Sequence, residues 1–535
     1  MKTVKKHIMF FSPYGSIWPH AVIERQLTKI LESKFLVTKV HCDHSFPNVC
    51  TIQSNNGISG RSSEIEKQNV CNSCKAKVLN ATSTLKSSQV WLPQPIPSVI
   101  NENVTKLELE FRNHYTEYKY KGIDVGRYAL YELILKYKKN TLNLSNEEHL
   151  AFLEALSNCI YIVDAANKII DEIDPHLILV FNPQYGVNSC FSQVAIQKGK
   201  KIYYLSGNSA WNEIHRTARI WNYKLYGIQT PVNSNTDLTK IKLSFSEKCG
   251  INRQKSILKS AKSPWVYSQP SRNLSAYDFF HIAPDKKIVL AAMNSYDEIF
   301  AANIRNPNSI LESNEIVFAD QIVWIKELIL WAQENSKVHL IIRPHPRELP
   351  NKREGVTSEF VSEWESEFTN LPSNVSLNHP KDLFSIYDMF SSISILTTGW
   401  SSTALEADMF GVPVVTYDSR ISKLPIQLGL TGTSREEYFG HLNSIINLGN
   451  PKNVGKIGAK WFAQINYRGT FYLPGTLFDR GFLRSLNRYL IFKKIFSLIP
   501  VNIVHWLDLR GFVKLSTKKK LIKLIVEELD SIYEL

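Results

Sequence analysis

Short apolar runs of strand length recur along this chain, and most are separated by stretches whose apolar residues repeat every three or four positions. The runs fall at 7–12, 35–42, 176–182, 201–206, 286–293, 338–343, 374–378, 393–398 and 412–417, and helical spacing marks 145–171, 320–335 and 434–447. A strand that is apolar throughout must be covered on both faces, and helices in its connections do that for a parallel sheet. The alternation predicts an α/β fold of doubly wound sheets. At 535 residues there is too much chain for one core. Ser, Lys, Pro and Asn crowd 255–279, and a fresh strand begins at Ile288. The expected division is a first domain over 1–270, carrying a polar insertion at 41–77, and a second over 280–470.

Charge narrows the partner. A formal net charge of +14 favours something anionic: a phosphorylated substrate, an acidic lipid surface or a nucleic acid. Nucleic acid is set aside, because no recognition-helix, RNP or zinc-finger pattern accompanies the charge. Met1–Phe11 superficially resembles a secretion signal, but its apolar core of about four residues falls short of the usual 7–15. No apolar run reaches the roughly 18 residues that a membrane-spanning helix needs. A cytoplasmic protein is expected, with the N-x-S/T sequons at Asn80, Asn103, Asn143, Asn273 and Asn374 as chance matches. Within Arg480–Ile525 aromatics and aliphatics mix with many Lys and Arg, and Asp508 is the only acid. This composition predicts basic amphipathic helices over 471–535, suited to the anionic inner face of the plasma membrane. The structural alternative for its first part is a helix returning to the first domain.

Chemistry concentrates in two stretches. Val338–Pro350 is an apolar run opening into Arg343, Pro344, His345 and Pro346. Ser394–Val415 opens into Gly399, then Ser401, Ser402, Thr403 and Glu406, then Gly411 and Pro413. Ligands of open α/β sheets bind beyond the carboxyl ends of the strands. There Arg343 offers a planar fork for phosphate oxygens, and His345 can donate a hydrogen bond or, protonated, neutralise a departing phosphate. Gly399 permits a tight turn, and Ser401, Ser402 and Thr403 start a helix whose free N–H groups attract phosphate. Glu406, one turn on, can accept from ribose hydroxyls. Singly, each residue has a bland explanation: an N-cap at Ser401, or an Arg343–Glu348 pair. Two such motifs on successive strand ends point together to a phosphate-bearing donor.

These residues resemble a family. The R-x-H-P strand end at Arg343–Pro346 and the S-S-x-x-x-E helix within Ser401–Pro413 are similar to elements of the metal-independent GT-B glycosyltransferases of bacterial capsule and lipopolysaccharide synthesis, β-Kdo transferases included. Ala292–Glu298 and Asp320–Leu328 add a weaker likeness, so that the resemblance spans roughly 285–420. It implies two Rossmann-like domains facing a central cleft, with C-terminal helices. It also implies a nucleotide-sugar donor (CMP-Kdo or a UDP-sugar), a polysaccharide or glycolipid acceptor, and no cofactor for catalysis. CDP-glycerol phosphotransferases share similar elements, so transfer of a polyol phosphate is an alternative; a non-catalytic scaffold is another.

Such enzymes take the acceptor, and any general base, on the first domain. His20 and Glu24, one helical turn apart after the first strand, are candidates to deprotonate an acceptor hydroxyl. Asp297 and Glu298 compete with them, as does Asp124 in the Gly-framed turn Gly122–Arg127. Phe181–Gln184 follows another strand and is a candidate lining of the acceptor site. Four of the seven cysteines, Cys42, Cys50, Cys71 and Cys74, cluster in the insertion. A structural Zn²⁺, an iron–sulfur centre, a disulfide or unligated thiols all fit, with His41 and His44 as spare ligands.

Overall fold

The computed structural model describes residues 5–207, 217–222, 237–262, 266–305, 317–351, 355–417, 425, 427–451, 454–468, 471–472, 522–523 and 525–527. Two compact units divide the chain, one drawn from Met1–Leu133, Leu142–Tyr226 and Gly469–Leu535, the other from Ile134–Thr141 and Gly227–Arg468.

In the first unit the strands are β1 (His7–Phe11), β2 (Leu36–His41), β3 (Ser88–Trp91), β4 (Leu177–Phe181), β5 (Lys201–Ser206) and β6 (Thr217–Asn222). They lie in the order β3-β2-β1-β4-β5-β6, with the two-residue strand Phe471–Tyr472 added antiparallel beyond β6. β1 to β5 are mutually parallel, and β6 runs antiparallel to β5. Ile8, Phe10, Leu177 and Leu179 bury one face against Ile23 and Leu27 of the helix Trp18–Leu31, and Ile525 joins the same cluster. Fully burying each such aliphatic contributes about 1.5–3 kcal/mol. The second unit contains β7 (Lys287–Ala292), β8 (Val338–Arg343), β9 (Val375–Leu377), β10 (Ile393–Thr398), β11 (Val414–Tyr417) and β12 (Leu430–Gly432). All are parallel, in the order β12-β11-β10-β7-β8-β9. Alternate residues of β7 feed different cores: Val289 and Ala291 pack with Trp324 and Leu328, while Ile288 and Leu290 pack with Ala404, Ala407 and Trp461. Helices therefore cover both faces, and each sheet reverses direction of growth once, at β1/β4 and at β7/β10.

The nine expected strands and the helices Asn146–Ile173, Gln321–Glu334 and Arg435–Leu448 are all present. Two expectations change. The first unit ends well before residue 270, because Leu258 of the helix Phe245–Lys259 and Val266 pack into the second unit's core beside Ile288. The insertion is helical, at Thr51–Asn55 and Glu64–Thr82, with Ile52 and Val78 buried. Most of the basic tract after 470 lies outside the described residues. Where it is described, Ile525 and Ile522 pack into the first unit's core. Among the described residues no helix is long and apolar enough to cross a membrane.

One short stretch of the first half of the sequence belongs to the second unit. Lys138, in a left-handed conformation and fully buried, donates from Nζ to the carbonyls of Arg347 (2.5 Å), Leu349 (3.2 Å) and Val356 (2.5 Å).

A candidate anion pocket at the switch point of the second sheet

The carboxyl ends of β7, β8 and β10 are where a ligand of this strand order is expected. An open pocket lies there, with an empty volume of about 520 Å³, solvent-side space included. Its polar lining includes Arg343, His345, Tyr387, Ser402, Thr403 and Glu406. Both sequence stretches thus reach one site.

Arg343 is the last residue of β8 and only 8% exposed. Its Nη1 donates to Asn378 Oδ1, just past the end of β9, and lies 3.4 Å from the carbonyl of Phe384. Asn378 is fully buried and passes its own Nδ2 to Asp382 (3.1 Å). A neutral amide therefore stands between the guanidinium and the nearest acid, and among the described residues Arg343 makes no ion pair. Burial pulls its pKa down to about 10, so it remains cationic. The alternative Arg343–Glu348 pair does not form: Glu348 instead accepts from the backbone N–H of Tyr296 (3.2 Å). A desolvated cation without a counter-charge is costly, and a bound anion would remove that cost.

His345 departs from expectation in charge. Desolvation, then Arg347, Arg343 and Lys138, press its pKa down to about 3, so the imidazole is neutral. Its Nδ1 accepts from the Arg347 N–H at 3.2 Å, which assigns the proton to Nε2. The group is a hydrogen-bond donor rather than a second positive charge.

The serine-rich turn also differs. The helix Thr403–Met409 is short, and the Thr403 N–H is already capped by Ser401 Oγ at 3.2 Å. With so few aligned peptides and that amide committed, hydroxyls rather than a macrodipole are what Ser402 and Thr403 bring to the pocket. Gly399 is required by close approach: an added Cβ would meet Tyr417 Oη at 2.9 Å and Asn294 Nδ2 at 3.4 Å. Glu406 does reach the pocket. Burial raises its pKa to about 7, offset by the Tyr387 hydroxyl that donates to Oε2 at 3.0 Å. Tyr387 and Asn378 escaped sequence reasoning because neither belongs to either motif.

The acid–base candidates fare differently. Asp297 is buried in an ion pair with Arg347 and accepts from Ser295 Oγ (2.6 Å), so it is neutralised in place. Arg347 was itself overlooked as part of the strand-end motif. Glu298 is exposed, with Arg347 Nε at 3.9 Å. Glu24, 3% exposed, accepts from Ser12 Oγ and from Lys39 Nζ (3.2 Å). His20 stacks on Phe181 with ring centroids 3.9 Å apart, and burial drops its pKa to about 3. These two hold the first unit together rather than meet solvent. Asp124 faces Lys119 at 3.6 Å. Asn182, at φ 50°, and Gln184 make the turn after β4, with the Gln184 N–H donating to Asn182 Oδ1. A further acid near that turn carried no sequence signal: Glu132 accepts from the Gly186 N–H (3.0 Å) and the Thr51 hydroxyl (3.2 Å).

Cys42, Cys50, Cys71 and Cys74 are free thiols. Among the described residues no group of three or more His, Cys, Asp or Glu side chains could hold a metal ion. A ready-made zinc site is therefore not present, and His41 turns away to Gln89 (2.8 Å).

No protein-family model matches the sequence, and neither does any curated protein. Solved structures align at low similarity. A putative UDP-N-acetylglucosamine 2-epimerase from Listeria monocytogenes is 12% identical over 85% of this chain and 91% of its own, with a TM-score of 0.29. Sucrose-phosphate synthase from Thermosynechococcus elongatus is 12% identical over 91% and 99%, TM-score 0.29. KpsC of Thermosulfurimonas dismutans, a beta Kdo 2,4 transferase, is 13% identical over 54% and 79%, TM-score 0.31. Likenesses this distant carry no argument about chemistry, which rests on the pocket.

Proposed function

We propose that the chain is a GT-B-type glycosyltransferase whose second unit binds the phosphate of a nucleotide-sugar donor. The observation that carries this reading is Arg343, a buried guanidinium tethered by an amide and lacking a carboxylate partner, at the switch point of a parallel sheet. In the transfer, the bond between the sugar's anomeric carbon and the phosphate oxygen breaks, and the electron pair leaves on that oxygen. The acceptor hydroxyl oxygen bonds to the same carbon and gives up its proton. Charge growing on the phosphate is met by Arg343, by the Nε2–H of His345 and by the hydroxyls of Ser402 and Thr403, with no metal called upon. Preorganised donors of this kind typically supply several kcal/mol. Glu406, beside Tyr387, is suited to a ribose hydroxyl. The resemblance to capsule and lipopolysaccharide enzymes favours a cell-surface polysaccharide or glycolipid as acceptor, at the inner face of the membrane.

A thermal-shift panel of CMP, CDP, UDP and GDP tests the assignment. Stabilisation by CMP favours a Kdo- or sialic-type donor, and by UDP a UDP-sugar. Greater stabilisation by CDP than by CMP favours transfer of glycerol phosphate instead, because that donor carries two phosphates although the nucleotide it leaves is CMP. If none of the four raises the melting temperature, the donor reading is wrong and a scaffold remains. Once a donor is in hand, His345→Ala should cut turnover by about 10²–10³ with the fold intact, and unchanged turnover would remove that residue from the mechanism.

A further inference from the structure

One wall of the anion pocket comes from residues 266–268, part of a segment without regular secondary structure ahead of β7. The segment is nevertheless tied down. Asp388, in the helix Ile386–Met389 and 3% exposed, accepts from the Ser271 hydroxyl and from the N–H groups of Arg272 (2.9 Å) and Asn273 (3.1 Å). The Ser385 hydroxyl donates to the Gln269 carbonyl (2.8 Å), and the Ile386 N–H donates to the Ser268 hydroxyl oxygen (3.0 Å). Val266 packs into the core that holds Ile288 and Leu290 of β7. Three donors on one buried carboxylate make a firm anchor. The residue between Val266 and Ser268 is therefore set in place before any ligand arrives, which lowers the ordering cost of binding.

That residue is Tyr267, partly exposed and part of the pocket lining. It stands edge-on to His345, with ring centroids 5.5 Å apart and planes at 65°. Its neighbour Ser268 is bonded to Ile386, next to Tyr387, whose hydroxyl serves Glu406. The ring thus has the imidazole assigned to phosphate on one side and the pair assigned to ribose close by. Val266, Ala292, Met293 and Ile386 add apolar lining. Phosphate and ribose occupy the polar groups. The third part of a nucleotide is a flat base, whose faces are stabilised by an aromatic surface out of water. We propose that the donor's nucleobase stacks on the ring of Tyr267. The proposal rests on the donor reading and deepens it, since without a nucleotide in this pocket there is no base to stack.

Stacking is indifferent to which base is offered, because every base has a π face. Tyr267 therefore adds affinity, and the choice among cytosine, uracil and guanine falls to hydrogen bonds at the base edge. A purely structural Tyr267 would brace His345 and nothing more. The two roles part in what they do to ligands. A brace supports every phosphate ligand alike, whereas a stacking ring serves only those that carry a base.

Calorimetric titration of the full chain separates them. The ligands are whichever of CMP, CDP, UDP and GDP best stabilises the wild type, and ribose 5-phosphate, which keeps phosphate and sugar but has no base and is followed by competition. Tyr267→Ala should weaken the nucleotide by about 5- to 150-fold and leave ribose 5-phosphate unchanged. Tyr267→Phe, which keeps the ring, should bind both as the wild type does. Should the alanine variant fail to fold, Tyr267→Leu takes its place with the same expectation, because it keeps apolar bulk without a π face. Equal weakening of both ligands would make the ring a brace, and no weakening of either would remove it from the site. Either result overturns the stacking while the donor reading stands. A wild type that binds none of the four nucleotides overturns the donor reading, and this proposal with it.

Discussion

The two sheets share one strand order, yet their switch points are furnished in opposite ways. At β1/β4 the two acid–base candidates are satisfied from within: Glu24 meets Lys39 and Ser12, and His20 lies flat on Phe181. Tyr14 stands edge-on to Tyr185 there, at 5.2 Å. At β7/β10 the space is open, and among the described residues the buried cation has an amide and a carbonyl but no ion pair. The same switch in strand order occurs in both sheets. What makes β7/β10 the candidate site is a buried cation with no ion pair among the described residues, because that is what an incoming anion can stabilise.

The sharpest way to break this comparison is to delete one cation from each unit. Lys39→Ala leaves Glu24 buried without its cation, and should cost about 3–5 kcal/mol of stability in urea unfolding while nucleotide affinity holds. Arg343→Ala should do the reverse. Affinity falls by about 1.5–3 kcal/mol, roughly 10- to 150-fold by calorimetric titration. The urea midpoint holds or rises, because a desolvated charge has been removed. Equal effects of the two variants on both measurements would erase the distinction.

A pH series sharpens it further. Glu406 has its folded pKa raised to about 7 by burial, above an unfolded value near 4.5. The folded chain therefore binds more protons than the unfolded one between those values, and stability declines as pH rises through that window. Glu348, raised to about 7, and Asp408, raised to about 6, slope the same way, so Glu406→Gln should flatten the melting-temperature profile only in part. A profile unchanged from pH 5 to 7.5 in that variant would mean that Glu406 ionises normally. The smallest effect belongs to Asn378→Ala. Losing one orienting hydrogen bond should weaken nucleotide binding by about 1 kcal/mol, and no weakening would show that Arg343 aims itself.

How much of this was legible in sequence follows from range. Strands and long helices declared themselves because periodicity is local, and the strands β3, β6 and β12 did not, because Ser88–Trp91, Thr217–Asn222 and Leu430–Gly432 are short or half polar. That Arg343, His345, Ser402, Thr403 and Glu406 line one pocket was legible because strand ends converge in this topology. Their electrostatic states were not, since they depend on partners far along the chain. The amide on Arg343 comes from position 378, and the charges that keep His345 neutral include Lys138. Asp297 and Glu24 read as free acids until Arg347 and Lys39 were found beside them.

The seat of Lys138 has a bearing on biosynthesis. Its ammonium is sheathed by carbonyls that the ribosome delivers more than two hundred residues later, Arg347 being 209 positions on. At about 5–20 residues per second, that is a delay on the order of 10–40 s, during which the lysine stays hydrated and its unit cannot close. A gene divided at the compositional break would deliver the second half without that plug, so the halves are better co-expressed than grafted.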